Sequence, residues 1–364
     1  MMHGPVGTSR RKGARTVRAA VWTDRGSLDV VDRPAPEPKP GWVRVAVSAV
    51  GICGTDLHFL SGAFPSPAGL LPGHEIGGTV ETLGESTGEG AALEPGQAVA
   101  VEPLVTCGHC PHCRAGAYTR CPTRMLLGVT GRGGMAELMT APATSIYPLP
   151  AGLTGTDGAL VEPLAVCVRG VRRAGVGLGD RVLVLGAGTI GLLCVLTARA
   201  AGAAEVAVTA RHPHQQEAAA AFGAMVFPTA DEAAAALGDS WADVVLETVG
   251  GRAPTLTDAV RLARPGGRIG MLGIFDRAAP LPGLDFSTKE LELIGSNCYA
   301  RAGIRSDFDL AVSLLSGHAD QVRTIVTHRF PLDDVNEAFR TAADKAERSI
   351  KVAIHPTSGE DVVR

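Results

Sequence analysis

Residues 186–191, with the sequence G-A-G-T-I-G, constrain the fold of this chain more than any other segment. They follow an apolar run at 181–185 and precede an Ala-rich helical pattern at 190–201. Between a buried strand and a helix, G-x-G-x-x-G permits a tight turn, close approach of a pyrophosphate and close packing of the helix. The alternative is a glycine-rich turn without a ligand. We predict a dinucleotide-binding turn formed by Gly186, Gly188, Thr189, Ile190 and Gly191.

The chain has two regions that differ in their pattern of predicted strands and helices. Up to about residue 150 it shows short strands separated by Gly and Pro, which is typical of an all-β barrel or sandwich. From Glu162 onward, strand and helix patterns alternate, which indicates a parallel sheet wrapped by helices. We therefore predict an α/β protein with a tail at 1–16, a barrel-like catalytic domain at 17–166, a doubly wound (Rossmann) cofactor domain at 167–303 and a return to the first domain at 304–364.

Composition excludes several classes of function. A net charge of −3 is not basic enough for nucleic acid, and no apolar run approaches the about 18 residues that span a bilayer. The pair Arg10 and Arg11 resembles an export signal, but no apolar segment follows it. We expect residues 1–16 to be a disordered tail or an over-extended start, and the protein to be cytoplasmic. In a reducing cytoplasm, clustered cysteines bind metal more often than they form disulfides.

Four cysteines lie within one short segment in the pattern C-x2-C-x2-C-x7-C. Four thiolates so close together can surround one Zn²⁺ ion tetrahedrally. An iron–sulfur cluster is the main alternative, because Pro122 follows the last cysteine as in bacterial ferredoxins, but the last gap is too long and no second cluster motif exists. With every position filled by protein, the site is predicted to be a structural zinc site formed by Cys107, Cys110, Cys113 and Cys121.

A second group of ligand-type residues is spread along the chain. The segment G-I-C-G-T-D-L-H at 51–58 holds a thiol, a hydroxyl, a carboxylate and an imidazole, and G-H-E follows at 73–75. Glu162 lies in the segment E-P-L-A-V, where the pattern of short strands gives way to alternating strands and helices. A lone Cys or His is more often structural than a ligand, but three such groups near a dinucleotide fold suggest a metal site.

Together with the cysteine quartet and G-A-G-T-I-G, these motifs occur in one order, and the chain from about Val17 to Ile354 resembles the zinc-containing medium-chain alcohol dehydrogenases. It is most similar to their sorbitol and polyol branch. The resemblance implies a GroES-like β-barrel catalytic domain, two zinc ions per chain, and a homodimer or homotetramer. It also implies hydride transfer between a nicotinamide cofactor and a secondary alcohol or ketone, as in a polyol, sugar or cyclitol.

The resemblance also assigns roles to residues. It implies that Cys53 and His74 bind the catalytic zinc, that Glu162 binds it directly or through water, and that Glu75 can exchange with water on the metal. Thr55 would hydrogen-bond the substrate oxygen, with His58 further along a proton relay. Asp56 would orient a ligand rather than bind metal. Lys351 matches a basic position that contacts the pyrophosphate in relatives.

Cys167 competes with Glu162 as a zinc ligand. If Pro163 opens a helix, five residues turn Cys167 about 140° away from Glu162 at about 3.6 residues per turn. We favour Glu162 as the ligand and interpret Cys167 as a packed residue.

The residues after the second predicted strand favour NADP(H) over NAD(H). NAD enzymes carry an acidic residue about twenty positions after the glycines, which binds the ribose 2′-hydroxyl. Ala210 occupies that position, and Arg211 and His212 follow it. The missing carboxylate removes repulsion of a 2′-phosphate, and the adjacent arginine can pair with it. A solvent-facing arginine without a ligand is the alternative.

Two other functions remain open on the sequence. One is a carbonyl reductase working in the opposite physiological direction. The other is a non-catalytic NADPH-binding relative that has lost its catalytic metal, against which the intact Cys53, Thr55, His58, His74 and Glu162 argue. The partner is a small-molecule alcohol or carbonyl in either enzymatic reading, with no nucleic acid and no membrane involved.

Overall fold

The computed structural model describes residues 15–24, 26–65, 68–87 and 93–357. The predicted tail at 1–16 lies outside these ranges except for Arg15 and Thr16, and the first strand already begins at Thr16.

The part of the chain before residue 160 consists mainly of strands with two short helices. Its elements are β1 (Thr16–Trp22), β2 (Leu28–Pro34), β3 (Trp42–Gly51), α1 (Gly54–Leu60), β4 (Glu75–Leu83), β5 (Ala98–Val101), β6 (Leu104–Val105), α2 (Pro111–Arg114), β7 (Met125–Leu126), β8 (Leu138–Pro142) and β9 (Ile146–Pro148).

Strands and helices alternate in the middle of the chain. The elements there are α3 (Val161–Arg173), β10 (Arg181–Leu185), α4 (Thr189–Ala200), β11 (Glu205–Thr209), α5 (Pro213–Ala221), β12 (Met225–Phe227), α6 (Ala230–Leu237), β13 (Ala242–Glu247), α7 (Thr255–Leu262), β14 (Ala263–Met271), α8 (Gly283–Thr288) and β15 (Glu292–Gly295). The last part contains β16 (Arg301–Ala302), β17 (Arg305–Ser306), α9 (Asp307–Arg323), β18 (Val326–Pro331), α10 (Val335–Ala343) and β19 (Lys351–His355).

A seven-stranded sheet organises the first part of the chain. Its order is β18-β19-β3-β4-β5-β9, and β8 also pairs with β3. Along β3, buried and half-buried residues alternate, so that Val43, Val45 and Val47 point into the apolar core. Strands β18 and β19 come from the end of the chain, and Ala353 of β19 pairs with Gly51 of β3. The C-terminal segment therefore borders the segment that carries Cys53.

The middle of the chain forms a six-stranded parallel sheet in the order β12-β11-β10-β13-β14-β15. From β10 the chain first builds one half of this sheet and then, with β13, returns to build the other half. The carboxyl ends of β10 and β13 thus lie at the point where the strand order reverses, which is where open α/β sheets bind ligands. The glycine loop begins directly after Leu185, the last residue of β10.

Helix α3 spans the expected domain boundary at 166/167 without a break. Its buried residues include Leu164, Val168 and Val171, and it packs against both α4 and α9. A continuous helix is favoured here because one apolar face contacts the helices of both neighbouring segments. Within the described ranges, no helix has the length and apolar character needed to cross a membrane.

The central sheet is held at one end by a carboxylate between two arginines. Asp243 accepts hydrogen bonds from Arg264 Nε at 2.5 Å and from Arg181 Nε at 3.1 Å. Burial raises the pKa of Asp243, but these hydrogen bonds outweigh it and lower the pKa to about 2.

We predict that Asp243→Asn reduces the free energy of unfolding by roughly 1–2 kcal/mol at pH 7, since both arginines are partly screened by solvent. A depressed carboxyl pKa stabilises the fold above the unfolded-state value and loses this effect as the pH falls through the folded-state value. The difference between wild type and variant in urea unfolding should therefore shrink between about pH 4 and pH 2. A difference that is constant over this interval would contradict the assignment.

Candidate active site

The four cysteines of the quartet converge on one point. Their four sulfur atoms all lie within 4.8 Å of one another, and they belong to Cys107, Cys110, Cys113 and Cys121. The Sγ atom of Cys107 is 3.9 Å from that of Cys113 and 3.6 Å from that of Cys121. A tetrahedral Zn²⁺ with bonds of about 2.3 Å separates its thiolates by about 3.8 Å. The donor set therefore fits one zinc ion.

Tight turns bring these sulfurs together. Gly108 and Gly116 both have a φ of +74°, a conformation that favours glycine. The backbone N–H of Cys110 points at the sulfur of Cys107 (3.4 Å), and the N–H of Cys113 points at that of Cys110 (3.5 Å). Backbone donors stabilise thiolates, the form that binds metal. Hydrogen bonds from the backbone of Cys107 and from Thr123 lower the pKa of Cys121 to about 6.

The second group of residues meets at the start of α1 and β4. Cys53 is the N-cap residue of α1, and its backbone N–H donates to Asp56 Oδ2 at 2.9 Å. Its sulfur lies 3.9 Å from the Thr55 hydroxyl oxygen. His74 is buried and follows Gly73, whose φ is +93° and whose missing Cβ leaves room for Val50 and Met135. The backbone thus places Cys53, Thr55 and His74 together.

Negative charge surrounds the buried His74. Its Nδ1 lies 3.9 Å from Asp56 Oδ1, and both atoms are buried without a hydrogen-bond partner among the described residues. Burial opposes the charged form of His74, but the negative charges of Asp56 and Cys53 outweigh it and raise its pKa well above the ordinary value. A carboxylate beside one ring nitrogen orients the other nitrogen toward a metal. Asp56 therefore lies where an orienting residue is expected.

Glu162 lies in the first turn of α3 and is buried. Burial raises its pKa to about 7, while the nearby His74 acts in the opposite direction. Cys167 points elsewhere, since its sulfur donates to the carbonyl oxygen of Ile190 at 3.3 Å. The structure thus accounts for Cys167 as a packed residue. Tyr299, which the sequence did not suggest, has its buried hydroxyl near Glu162.

The structure places Lys351 against Glu75. Its ammonium group is buried and donates to Glu75 Oε1 at 2.7 Å, to Glu75 Oε2 at 2.6 Å and to the carbonyl oxygen of Ile52 at 2.9 Å. An ammonium group has three donors, and these contacts can use all of them. The expected contact of Lys351 with the pyrophosphate and the expected exchange of Glu75 with water on the metal stay predictions.

The glycine loop has the geometry that its pattern predicts. Gly186 has a φ of +96°, and a Cβ on Gly191 would lie 1.9 Å from the carbonyl oxygen of Gly186. The N–H of Gly186 donates to the Thr209 hydroxyl at 3.0 Å, which fixes the loop to β11. The hydroxyl of Thr189 is used differently, because it donates to the carbonyl oxygen of Ile350 at 3.0 Å. Ile190, in the first turn of α4, packs against the core.

A cleft of about 490 Å³ runs from this loop along the sheet. Gly186, Gly188, Arg211 and His212 line it together, so the structure brings these sequence-predicted residues to one place. Arg211 is exposed, and its side chain forms no ion pair or hydrogen bond within the part of the chain that the structure describes. Lys345 lines the same cleft, but no local motif marks it.

His58 lies one turn after Thr55 on α1, and both are half-buried. The His58 ring contacts that of Phe64, with ring centroids 4.9 Å apart. The transfer of a proton from Thr55 through His58 to solvent stays a prediction.

A sheet domain with a cysteine quartet, joined to a parallel-sheet domain with a glycine loop, defines the class of two-domain zinc-binding dehydrogenases. Two family models match the chain accordingly. The alcohol dehydrogenase GroES-like domain matches residues 39–151, and the zinc-binding dehydrogenase domain matches residues 189–317.

Similar proteins agree with these models. The 2-dehydro-3-deoxy-L-galactonate 5-dehydrogenase of Pseudoalteromonas atlantica is 36% identical over 328 residues, which are 88% of this chain and 94% of the relative. Sorbitol dehydrogenase of Homo sapiens is 32% identical over 87% of this chain and 90% of its own. The crystal structure of a zinc-binding dehydrogenase from Sinorhizobium meliloti 1021, bound to NADP, has a TM-score of 0.84 at 31% identity and covers 94% of this chain and 100% of that chain.

The chain therefore belongs to the zinc-containing medium-chain alcohol dehydrogenases, in the branch that includes sorbitol dehydrogenase. The predicted GroES-like and Rossmann fold class is confirmed, and so is the expectation of a nicotinamide-dependent oxidoreductase acting on an alcohol or carbonyl carbon.

We predict that Cys110→Ser lowers the zinc content by about one ion per chain and lowers the melting temperature, because a closed tetrahedron loses a thiolate. Metal analysis and thermal unfolding measure the two effects. His112→Ala changes an exposed residue of the same turn and should alter neither. Full zinc content and unchanged stability in Cys110→Ser would show that the quartet holds no metal.

Proposed function

We propose that this protein oxidises a secondary alcohol of a polyol, sugar or cyclitol, and reduces the corresponding ketone, with two zinc ions per chain and with NADP(H) preferred over NAD(H). The convergence of Cys53, Thr55, His74 and Glu162 beside the cofactor-binding domain carries this proposal. The polyol and sugar-acid substrates in the names of its relatives support the choice of substrate class.

The residues present fit a catalytic zinc ion. Cys53 and His74 would bind it, and Glu162 would bind it through water. Among the described residues, the ligand atoms of Cys53, His74 and Glu162 do not all lie within 4.8 Å of one another. When bound, zinc supplies a Lewis acid for the substrate oxygen, and the nicotinamide dinucleotide supplies the hydride acceptor.

The other residues position the substrate and move the proton. The Thr55 hydroxyl receives a hydrogen bond from the substrate alcohol and passes its proton toward His58, which is partly exposed to solvent. Asp56 holds Cys53 through its backbone and faces His74, so it fixes both ligands. Lys351 balances the buried charge of Glu75 behind them.

Positive charge at one end of the cofactor cleft supports NADP(H). Arg211, His212 and Lys345 line this cleft, and Ala210 provides no carboxylate for a ribose hydroxyl. Asp231, also in the lining, pairs with Arg261 at 2.6 Å, which offsets its charge. A 2′-phosphate would meet an unpaired guanidinium there.

We also propose that the protein is a cytoplasmic homo-oligomer, in which the thiols of the quartet stay reduced. Strand β15 lies at one edge of the parallel sheet, and Leu293 of this strand and Leu284 of the preceding helix α8 are exposed. An unpaired edge beside exposed apolar residues favours pairing with a second copy.

We predict that Cys53→Ala and His74→Ala each remove about one zinc ion per chain and reduce turnover to background, while the fold survives. Glu162→Ala should lose less zinc than Cys53→Ala, because its contact runs through water. His318→Ala, an exposed histidine on α9, is the control and should change neither quantity. Activity that persists in both ligand variants after exhaustive chelation would exclude the zinc mechanism.

We predict that Arg211→Ala raises the KM for NADPH and leaves the KM for NADH almost unchanged, because NADH has no phosphate there to pair with. A charge-assisted hydrogen bond contributes roughly 1.5–3 kcal/mol, so the specificity ratio should shift by about ten- to hundredfold. Ala210→Asp should shift it in the same direction, and Arg340→Ala, on the exposed side of α10, should not. Wild-type protein that uses NADH as well as NADPH would contradict the proposed preference.

A further inference from the structure

A second pocket, distinct from the cofactor cleft, is lined by four arginines. It has a volume of about 410 Å³, and we call it the arginine pocket; its walls are Thr119, Arg120, Arg124, Arg169, Arg173, Gly295 and Asn297. Three parts of the chain meet here: the segment around the last quartet cysteine, the C-terminal half of α3, and the segment after β15. Arg169 and Arg173 are four residues apart on α3 and therefore lie on one face of it.

Positive charge in this pocket is only partly balanced. Asp307 is fully buried; it accepts a hydrogen bond from Arg172 at 2.7 Å and lies 3.7 Å from Arg169. The side chains of Arg120, Arg124 and Arg173 form no ion pair or hydrogen bond with any residue that the structure describes. The Nε atoms of Arg169 and Arg173 are buried without a partner in the same part of the chain.

Arg169 and Arg173 are half-buried in this pocket, whereas Arg120 and Arg124 are exposed. Burial lowers the pKa of Arg169, and the neighbouring Arg173, Arg172 and Arg120 lower it further, against the attraction of Asp307. Cations removed from water without a partner destabilise a protein. A phosphate or carboxylate accepts hydrogen bonds from guanidinium groups in pairs and would satisfy these donors.

The arginine pocket adjoins the catalytic residues through residues 297–299. The carbonyl oxygen of Asn297 accepts a hydrogen bond from Thr119 at 3.3 Å, and the next residue, Cys298, has a φ of +49°. Burial raises the pKa of Cys298 to about 12; Glu162 raises it further and Arg124 lowers it. Cys298 is thus close enough to interact with both sites. The segment 297–299 therefore joins the wall of the arginine pocket to the surroundings of Glu162.

We propose that the arginine pocket binds an anionic group, a phosphate or a carboxylate, at the far end of the substrate whose alcohol carbon is oxidised beside Cys53 and His74. This inference rests on the proposed dehydrogenase function and narrows its substrate class from neutral polyols to sugar phosphates or sugar acids. The arginines bind the anionic end of the substrate and so position it, and the reaction at the alcohol carbon is unchanged.

The first experiment compares substrates that differ only in charge. The zinc-loaded protein is assayed with saturating NADP⁺ on a stereochemical panel of hexitols, each tested as the neutral polyol, its terminal phosphate and its aldonate. We expect the anionic member of a set to have a kcat/KM about ten- to hundredfold higher, mainly through KM. Whether phosphate or aldonate gains more identifies the group that the pocket binds.

Arg124→Gln and Arg173→Gln test the pocket itself, since each removes one charge and keeps a polar side chain of similar length. Each should reduce the ratio of anionic to neutral kcat/KM by about tenfold. Arg340→Gln is the matched control and should leave this ratio unchanged. A wild-type protein that prefers the neutral polyol throughout the panel, or a ratio that neither variant changes, overturns the proposal.

The second experiment does not depend on turnover. Inorganic phosphate is titrated by calorimetry into wild type and both variants, with the cofactor cleft filled by saturating NADP⁺. We expect phosphate affinity to fall about tenfold in each variant relative to Arg340→Gln. If no alcohol is oxidised, the proposed function fails, and phosphate binding alone then decides about the pocket. Equal phosphate affinity in all four proteins overturns the proposal in either case.

Discussion

The buried ammonium group of Lys351 connects the end of the chain to the segments that carry the proposed zinc ligands Cys53 and His74. It binds both oxygens of Glu75 at the start of β4 and the carbonyl oxygen of Ile52 just before Cys53. A lysine stripped of water is costly unless every donor is satisfied, and this one is. Gly51 is required beside it, since a Cβ there would lie 1.8 Å from a Glu75 oxygen. The positions of Cys53 and His74 therefore depend on β19, about 300 residues further along the chain.

Helix α3 likewise connects residues that belong to different sites. Its first turn carries Glu162, its middle packs Cys167 against the start of α4, and its last turns carry Arg169 and Arg173. Arg172, on the same helix, reaches Asp307 at the start of α9. One helix thus sets the distance between Glu162, the glycine-loop helix and the arginine pocket. A break at residue 166 would uncouple them, which explains why the boundary between the two sequence regions is not a linker.

The features that the residues alone predicted are those in which neighbouring residues form the site, whereas the grouping of Cys53, His74 and Glu162 was expected only from the resemblance. The quartet and the glycine loop are local, because each is closed by turns whose glycines appear in the motif itself. Arg211 could be placed because strand order determines which residue follows β11 at the cofactor edge. No such local signal marks Tyr299, Lys345 or the contact between Lys351 and Glu75. They reach their sites only through the packing of segments far apart in sequence.

The same reasoning explains why the arginine pocket is invisible in the sequence. Its arginines come from two distant segments, each of which reads as an ordinary basic surface when taken alone. A chain with a net charge of −3 can still hold strong positive potential where a few guanidinium groups share a concave surface. The described part of the chain holds two such regions, one beside Arg211 in the cleft of the glycine loop and one beside Arg173 in the arginine pocket. An anionic cofactor and an anionic substrate would each meet positive charge at the outer end of its site, and this would orient both toward the catalytic residues.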